Sequence, residues 1–327
     1  MKRFRAIAWL LVSVTIITTM VALHPAPTTA GAPRQKLVMA FVPSQDTERV
    51  LFSGVQIARL LNVVTGYQIE ATVPTSYAAT IEALCAGRVD IAWFAPLAYV
   101  LANARCGAEV ALISVRAGRP YFGSQIIVRS ALGARSLADL AGRRFAFGDP
   151  ASTSSAMWPA VYIARKGHGD PNTFFSQVVF VGGHDRVVTA VYQGSVDAGA
   201  TFGDAFGSDA RNLVERTFPD VKQRVAVLEY IGPPVMPYIP SDTVSFRKEL
   251  SRETKQAIVK AMFDIIKTKP GQKAVFDLYS HEGYADYNLL ITKYGVNRRQ
   301  VPTLDAFFNP VREAVRLMGL DLSRLVR

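Results

Sequence analysis

A chain of 327 residues, half of them hydrophobic and 19% charged, can bury a sizeable core and has room for about two domains of ordinary size. The formal charge is +11; with the three bases of the first thirty residues set aside, 34 basic residues face 26 acidic ones, a net of +8. That excess favours anionic partners or a membrane surface. The bases are scattered singly, without Lys/Arg runs interleaved with aromatics, so nucleic acid is not an expected partner.

Residues 1–30 read as a secretory signal: Lys2, Arg3 and Arg5 are basic, 6–23 is apolar, and Thr28, Thr29 and Ala30 are small. Cleavage after Ala30 would place the mature chain in the periplasm. The apolar run also approaches bilayer-spanning length, which leaves an uncleaved anchor open. For the two cysteines, Cys85 and Cys106, an oxidising compartment predicts one disulfide; buried thiols or a ligand-binding thiol are the alternatives.

In chain order, 36–42 reads as a first buried strand and 49–62 as a helix with Leu51, Val55, Ala58 and Leu61 toward the core. A strand at 67–73, a helix at 77–87 and a strand at 89–94 follow. A helix from Pro96 leads to strands at 109–115 and 124–128. The pattern then restarts: a short helix at 137–140, strands at 144–147 and 177–181, a helix from Gly182 to Gln193, and strands at 196–202 and 225–230. Segments rich in proline at 232–240 make a stiff return, 248–267 is a long amphipathic helix, and the tail is mostly helical. Alternation of this kind predicts an α/β protein with mostly parallel sheets covered on both faces.

The centre of the chain is Gly148-Asp149-Pro150-Ala151-Ser152-Thr153-Ser154-Ser155. A strand, a tight turn, four hydroxyls and an apolar helical run put hydroxyls and unpaired N–H groups at the positive end of a helix, where an oxyanion is favoured. An ordinary N-cap needs only one hydroxyl. A second signal is an internal echo. Gly87-Arg88-Val89-Asp90 parallels Gly194-Ser195-Val196-Asp197, and Tyr77 stands 13 residues before Asp90 as His184 stands 13 before Asp197. Two similar α/β units facing one another would aim both rings at one cleft.

No catalytic constellation is present. His168, His184 and His281 have no metal-ligand spacing, and no nucleophile elbow, phosphate-cradling lysine loop or dinucleotide fingerprint occurs. The expectation is a binding protein with no cofactor rather than an enzyme, its donors mainly neutral hydroxyls plus His184.

Several motifs resemble the periplasmic phosphate/phosphite/phosphonate-binding proteins of ABC transporters. They are Tyr77-Ala-Ala-Thr-Ile-Glu-Ala-Leu84, Gly87-Arg-Val-Asp-Ile-Ala-Trp-Phe-Ala-Pro96, Tyr121-Phe-Gly-Ser124, Phe147-Gly-Asp-Pro-Ala-Ser-Thr-Ser154, Gly183-His184-Asp185 and Gly194-Ser-Val-Asp197. The resemblance implies a two-lobed type II periplasmic-binding fold with two crossovers as a hinge. Lobe one would hold 35–128 plus 240–327, and lobe two 129–239. It implies an oxyanion shell of Ser152, Thr153, Ser154, His184, Tyr77 and Tyr121, with Asp204 as a candidate acid. Ser155 departs from the glycine usual there. The segment 232–234 offers no second acid, which favours a small bare oxyanion over an amine-bearing ligand. The implied partner is a membrane permease, and a monomer is expected. One branch of the family senses arsenic oxyanions, and Cys106 is the residue that would serve arsenite in a sensor speaking to a membrane histidine kinase.

Overall fold

The computed structural model describes residues 35–319, so the signal or anchor read at 1–30 lies outside the described residues. Among the described residues no helix is long and apolar enough to cross a membrane.

The chain runs β1 (Lys36–Phe41), α1 (Thr47–Thr65), β2 (Gln68–Thr72), α2 (Tyr77–Cys85), β3 (Ile91–Phe94), α3 (Pro96–Cys106) and β4 (Glu109–Val115). It crosses through β5 (Tyr121–Phe122) to β6 (Ser124–Arg129), then continues as β7 (Arg144–Phe147), a π-helical turn (Thr153–Met157) and α4 (Trp158–Ile163). Next come α5 (Pro171–Phe174), β8 (Gln177–Phe180), α6 (His184–Gln193), β9 (Ala198–Phe202), α7 (Val221–Arg224) and β10 (Val225–Ile231). The return passes through β11 (Ile239–Pro240) to β12 (Thr243–Phe246), α8 (Arg252–Ile265), α9 (Lys269–Tyr279), β13 (Gly283–Ala285), α10 (Tyr287–Thr292) and α11 (Asn309–Leu317).

Two sheets result. One has the order β13-β4-β12-β3-β1-β2, the other β10-β6-β9-β7-β8, and the small β5–β11 ribbon lies on the two crossovers between them. This is the two-lobed α/β architecture expected from the motifs. Each sheet is mixed. It is parallel where β1 meets β2 and β3, or β7 meets β8 and β9, and antiparallel around β4 and β12, or β6 and β10, which flank the crossovers. A chain that leaves a lobe and re-enters it lays an antiparallel strand beside those already there, which local alternation of helix and strand does not reveal.

The same effect corrects one boundary. β6 pairs with β9 and β10 in the second sheet, so lobe one ends at the crossover before residue 124 rather than at 128. The partners that decide its membership lie about seventy to a hundred residues downstream, beyond any local pattern.

Helix α1 buries Val50, Ile57, Ala58 and Leu61 against β1, where Phe41 packs on Trp93 with ring centroids 4.8 Å apart. Ala58 and Leu61 are buried as expected, but Val55 is only half-buried and Leu51 is 39% exposed, because the buried stripe runs through Val50, Gly54, Ile57 and Leu61 and leaves both at its edge. The long helix expected from 248 starts at Arg252, since the Ser251 side chain accepts the Thr254 N–H and fixes the end there. Cys85 and Cys106 form a disulfide that ties the last residues of α2 and α3 together.

Candidate binding site between the lobes

Four helical starts converge on one small cavity. It is lined by Tyr77, the first residue of α2; Ala95, the cap of α3; Ser152, the cap of the π turn; and His184, the first residue of α6. Each start carries the positive end of a peptide dipole, so the cavity favours negative charge before any side chain is counted. Its volume is about 30 Å³, an order of magnitude below a site for a drug-sized molecule.

The hydroxyl turn is buried: Ser152, Thr153 and Ser154 are 2%, 1% and 3% exposed, and all three line the cavity. Ser152 Oγ accepts the Ser155 N–H at 3.4 Å, and the first i→i−5 bond runs from Met157 N–H to the Ser152 carbonyl. Thr153 and Ser154 precede that bond, so their N–H groups have no acceptor within the turn. The Ser124 hydroxyl donates to the Ser154 carbonyl at 2.6 Å and anchors the turn to the crossover. Ser155 does not line the cavity. Its Oγ points back at Gly148, where a Cβ would come within 2.0 Å of it, so a glycine at 148 makes room for the hydroxyl at 155.

Three backbone amides close the lobes on each other. Tyr77 N–H donates to Asp149 Oδ2 (3.2 Å), Leu97 N–H to Thr153 Oγ1 (2.7 Å), and His184 N–H to the Ser44 carbonyl (2.8 Å). Gly183 permits the last contact, because a Cβ there would lie 2.3 Å from Asp185 Oδ1 and 3.3 Å from the Gln45 Cα. These amides at the starts of α2, α3 and α6 therefore serve closure, which leaves the hydroxyl turn and the side chains to meet a ligand.

His184 is 7% exposed and its Nδ1 accepts the Phe202 N–H at 3.4 Å. That bond assigns the proton to Nε2, leaving an N–H donor for the cavity. Burial, helped by the Arg116 charge and opposed by Asp242, pushes the His184 pKa down to about 3, so the ring is a neutral donor. The Tyr77 hydroxyl is held protonated by burial and by the nearby Asp149 and Asp242 charges.

The echo in the sequence is a repeated hydrogen-bond knot. Asp90 N–H donates to the Val38 carbonyl, its carboxylate accepts the Val38 N–H, its carbonyl accepts the Arg247 N–H, and the Arg247 guanidinium pairs with it. Asp197 makes the same bonds to the Arg144 backbone and to Arg129 N–H and guanidinium, and in addition takes the Arg144 guanidinium. Each knot locks a helix C-terminus to a strand of its own lobe, β1 behind α2 and β7 behind α6, and so fixes where the other end of that helix, with Tyr77 or His184, points.

Arg116 and Asp242 line the cavity, His281 is buried against both, and sequence reasoning missed all three. Arg116 follows β4 and Asp242 precedes β12, so one sits on each crossover. Arg116 Nη2 lies 2.9 Å from Asp242 Oδ2 and 3.3 Å from His281 Nε2, and His281 Nε2 lies 3.1 Å from Asp242 Oδ2. The guanidinium packs against the Phe122 and Phe202 rings, 5.0 and 5.1 Å from their centroids. Burial pushes the Asp242 carboxyl up, but the His281 hydrogen bond and the Arg116 charge outweigh it and hold the group below its usual range. The expectation of mainly neutral donors is corrected here: a cation is built into the wall. Its only sequence signal was an arginine and an aspartate at the ends of the two strands flanking the crossovers.

The sequence pattern of the family described as "ABC transporter, phosphonate, periplasmic substrate-binding protein" matches residues 39–288. The chain belongs to this family. Among curated relatives of this phosphonate-binding family it is 31% identical over 189 residues to the phosphate-import protein PhnD of Mycolicibacterium smegmatis, covering 54% of this chain and 58% of that one. It is 30% identical over 217 residues to the phosphonates-binding periplasmic protein of Escherichia coli, covering 65% of this chain and 60% of that one. The matches thus span about three fifths of these relatives. Two solved structures share the fold: a binding protein component of an ABC phosphonate transporter from Pseudomonas aeruginosa (TM-score 0.70, 21% identity, 90% of this chain and 96% of that), and PhnD1 from Prochlorococcus marinus in complex with methylphosphonate (TM-score 0.69, 16% identity, 87% and 98%).

Of the residues expected in the family's oxyanion shell, Ser152, Thr153, Ser154, His184 and Tyr77 meet at the cavity. Tyr121 does not: it stacks on Tyr238 at 5.0 Å and faces a separate groove with Pro240 and Arg312. Asp204 does not either; its carboxylate accepts the Phe206 and Ser208 N–H groups at 2.8 and 3.4 Å and holds its own loop. Cys106 is bonded to Cys85 (S–S 2.03 Å), at the far ends of α2 and α3 from the cavity. It has no thiol to offer, so Cys106 is not an arsenite ligand here.

Proposed function

We propose that this protein is a periplasmic solute-binding protein whose lobes close on one small phosphorus oxyanion, such as phosphite, phosphate or methylphosphonate. Closure would present the loaded form to the membrane permease of an ABC transporter. The observation that carries this reading is the small cavity in which the Ser152–Ser154 hydroxyls, the Tyr77 hydroxyl and the His184 imidazole meet across the two lobes. Directed neutral donors suit an anion that must be bound and later released, and the two crossovers supply a hinge. The names of the curated relatives point to the same ligand class.

In this reading residues 1–30 deliver the chain to the periplasm, and it acts as a monomer without cofactor. The permease is the partner proposed, because the curated relatives are named as phosphate-import and phosphonate-binding proteins, and the arsenite-sensing version has no free Cys106. A thermal-shift panel of phosphite, phosphate, methylphosphonate, arsenate and arsenite tests the ligand class. A ligand at a hundred times its Kd stabilises by about 2.7 kcal/mol, which moves the transition visibly. A shift with at least one phosphorus oxyanion is expected; no shift with any of them contradicts the proposal.

A further inference from the structure

Asp242 is the one carboxylate among the described residues lining the cavity. Its Oδ2 is within 2.9 Å of Arg116 Nη2 and 3.1 Å of His281 Nε2. Arg116 itself is 7% exposed, and its buried Nε–H has no protein acceptor among the described residues. A buried cationic donor without an acceptor is costly unless an anion or water meets it. The Phe122 and Phe202 rings pack against the guanidinium, and its contact with Asp242 holds it in the wall.

We propose that the Arg116–Asp242 pair is the selectivity element of this site: Arg116 supplies a fixed cation to the oxyanion and, by occupying the cavity's carboxylate, excludes ligands that carry an ammonium group. The inference deepens the oxyanion reading and rests on it. An ammonium placed beside the anion would meet a like charge in a poorly solvated wall, where repulsion is weakly screened, and would find its natural acceptor already engaged. His184 and the hydroxyls do not discriminate in this way, because they are neutral donors. Methyl or hydrogen substituents carry no such penalty.

The test uses two ligands of equal size that differ in charge, ethylphosphonate and aminomethylphosphonate, measured by calorimetric titration on the mature protein. Wild type is expected to bind ethylphosphonate at least tenfold more tightly. In R116M, Asp242 is released and the preference should reverse. Because R116M leaves a buried acid with one partner fewer, R116M/D242N provides a second variant without that acid; its two affinities should agree within about threefold, given that no charge remains to discriminate. R116K, which keeps the charge, should keep the wild-type order. An unchanged ratio in R116M and in R116M/D242N assigns Arg116 a merely structural role and overturns the proposal. Equal rejection of both ligands by wild type assigns selectivity to volume and overturns it too. Failure of the underlying reading shows separately, as wild type that ignores phosphite, phosphate and methylphosphonate alike.

Discussion

The two lobes place the same knot behind different tips. Behind α2, Asp90 binds the Val38 backbone and Arg247; behind α6, Asp197 binds the Arg144 backbone and Arg129. In front, lobe one presents a phenol at Tyr77 and lobe two an imidazole at His184. The scaffold repeats and the chemistry does not. Repetition aims both helices at one point, and variation at the tips supplies two donors of different shape to a single anion. What neither lobe supplies, a fixed charge, comes from the crossovers through Arg116 and Asp242.

The comparison breaks most visibly at the knots. D90A and D197A each remove a nearly buried carboxylate and strand a backbone N–H, together with one arginine behind α2 (Arg247) and two behind α6 (Arg129 and the partly exposed Arg144). Each should cost about 3 kcal/mol in denaturant unfolding, and the two values should agree within about 1 kcal/mol if the knots are equivalent. A loss below about 1 kcal/mol for one of them would show that the knots only look alike.

The tips come next. Y77F and H184A each delete one donor to the anion and should each raise Kd by roughly tenfold or more, since a hydrogen bond to a charged group contributes about 1.5–3 kcal/mol. Unchanged affinity in either variant would remove that lobe's tip from the ligand shell.

The smallest expected effect concerns protons. The folded His184 pKa is pushed to about 3 from the ordinary 6.5, and burial also lowers His281. A depressed histidine means that the unfolded chain binds the proton first. The stability tied to these rings is therefore complete above pH about 6.5 and is lost as pH falls through the window toward 3. Unfolding measured across that range should show stability declining on acidification. The binding profiles of wild type and H184Q should superimpose between about pH 5.5 and 8, because the ring stays neutral throughout. Divergent profiles would mean that His184 titrates in the site.

Much of this was legible in the chain because it is local. Four hydroxyls after Gly148, a glycine closing α2 and α6, and a spacing of 13 residues from ring to aspartate all lie within short windows. Those signals located five of the cavity's side chains and the two-lobed plan. The rest depends on pairing across distance. Arg116 and Asp242 are 126 residues apart and meet only because both crossovers pass the cleft. β6 looked like the last strand of lobe one until its partners β9 and β10 placed it in the other sheet. Tyr121 and Asp204 carry the right chemistry, but a stacked Tyr238 and a loop's own N–H groups claim them. Cys106 was open between a thiol and a disulfide until α2 and α3 were seen to end side by side.

The central claim is that the hydroxyl turn and the opposing lobe grip one phosphorus oxyanion. Calorimetric titration of wild type and S152A/T153A with phosphite, phosphate and methylphosphonate tests it most directly. The account predicts one-to-one binding of at least one of them by wild type and loss of measurable binding in the variant, with the variant still folding cooperatively. Equal affinity in the two proteins would contradict it.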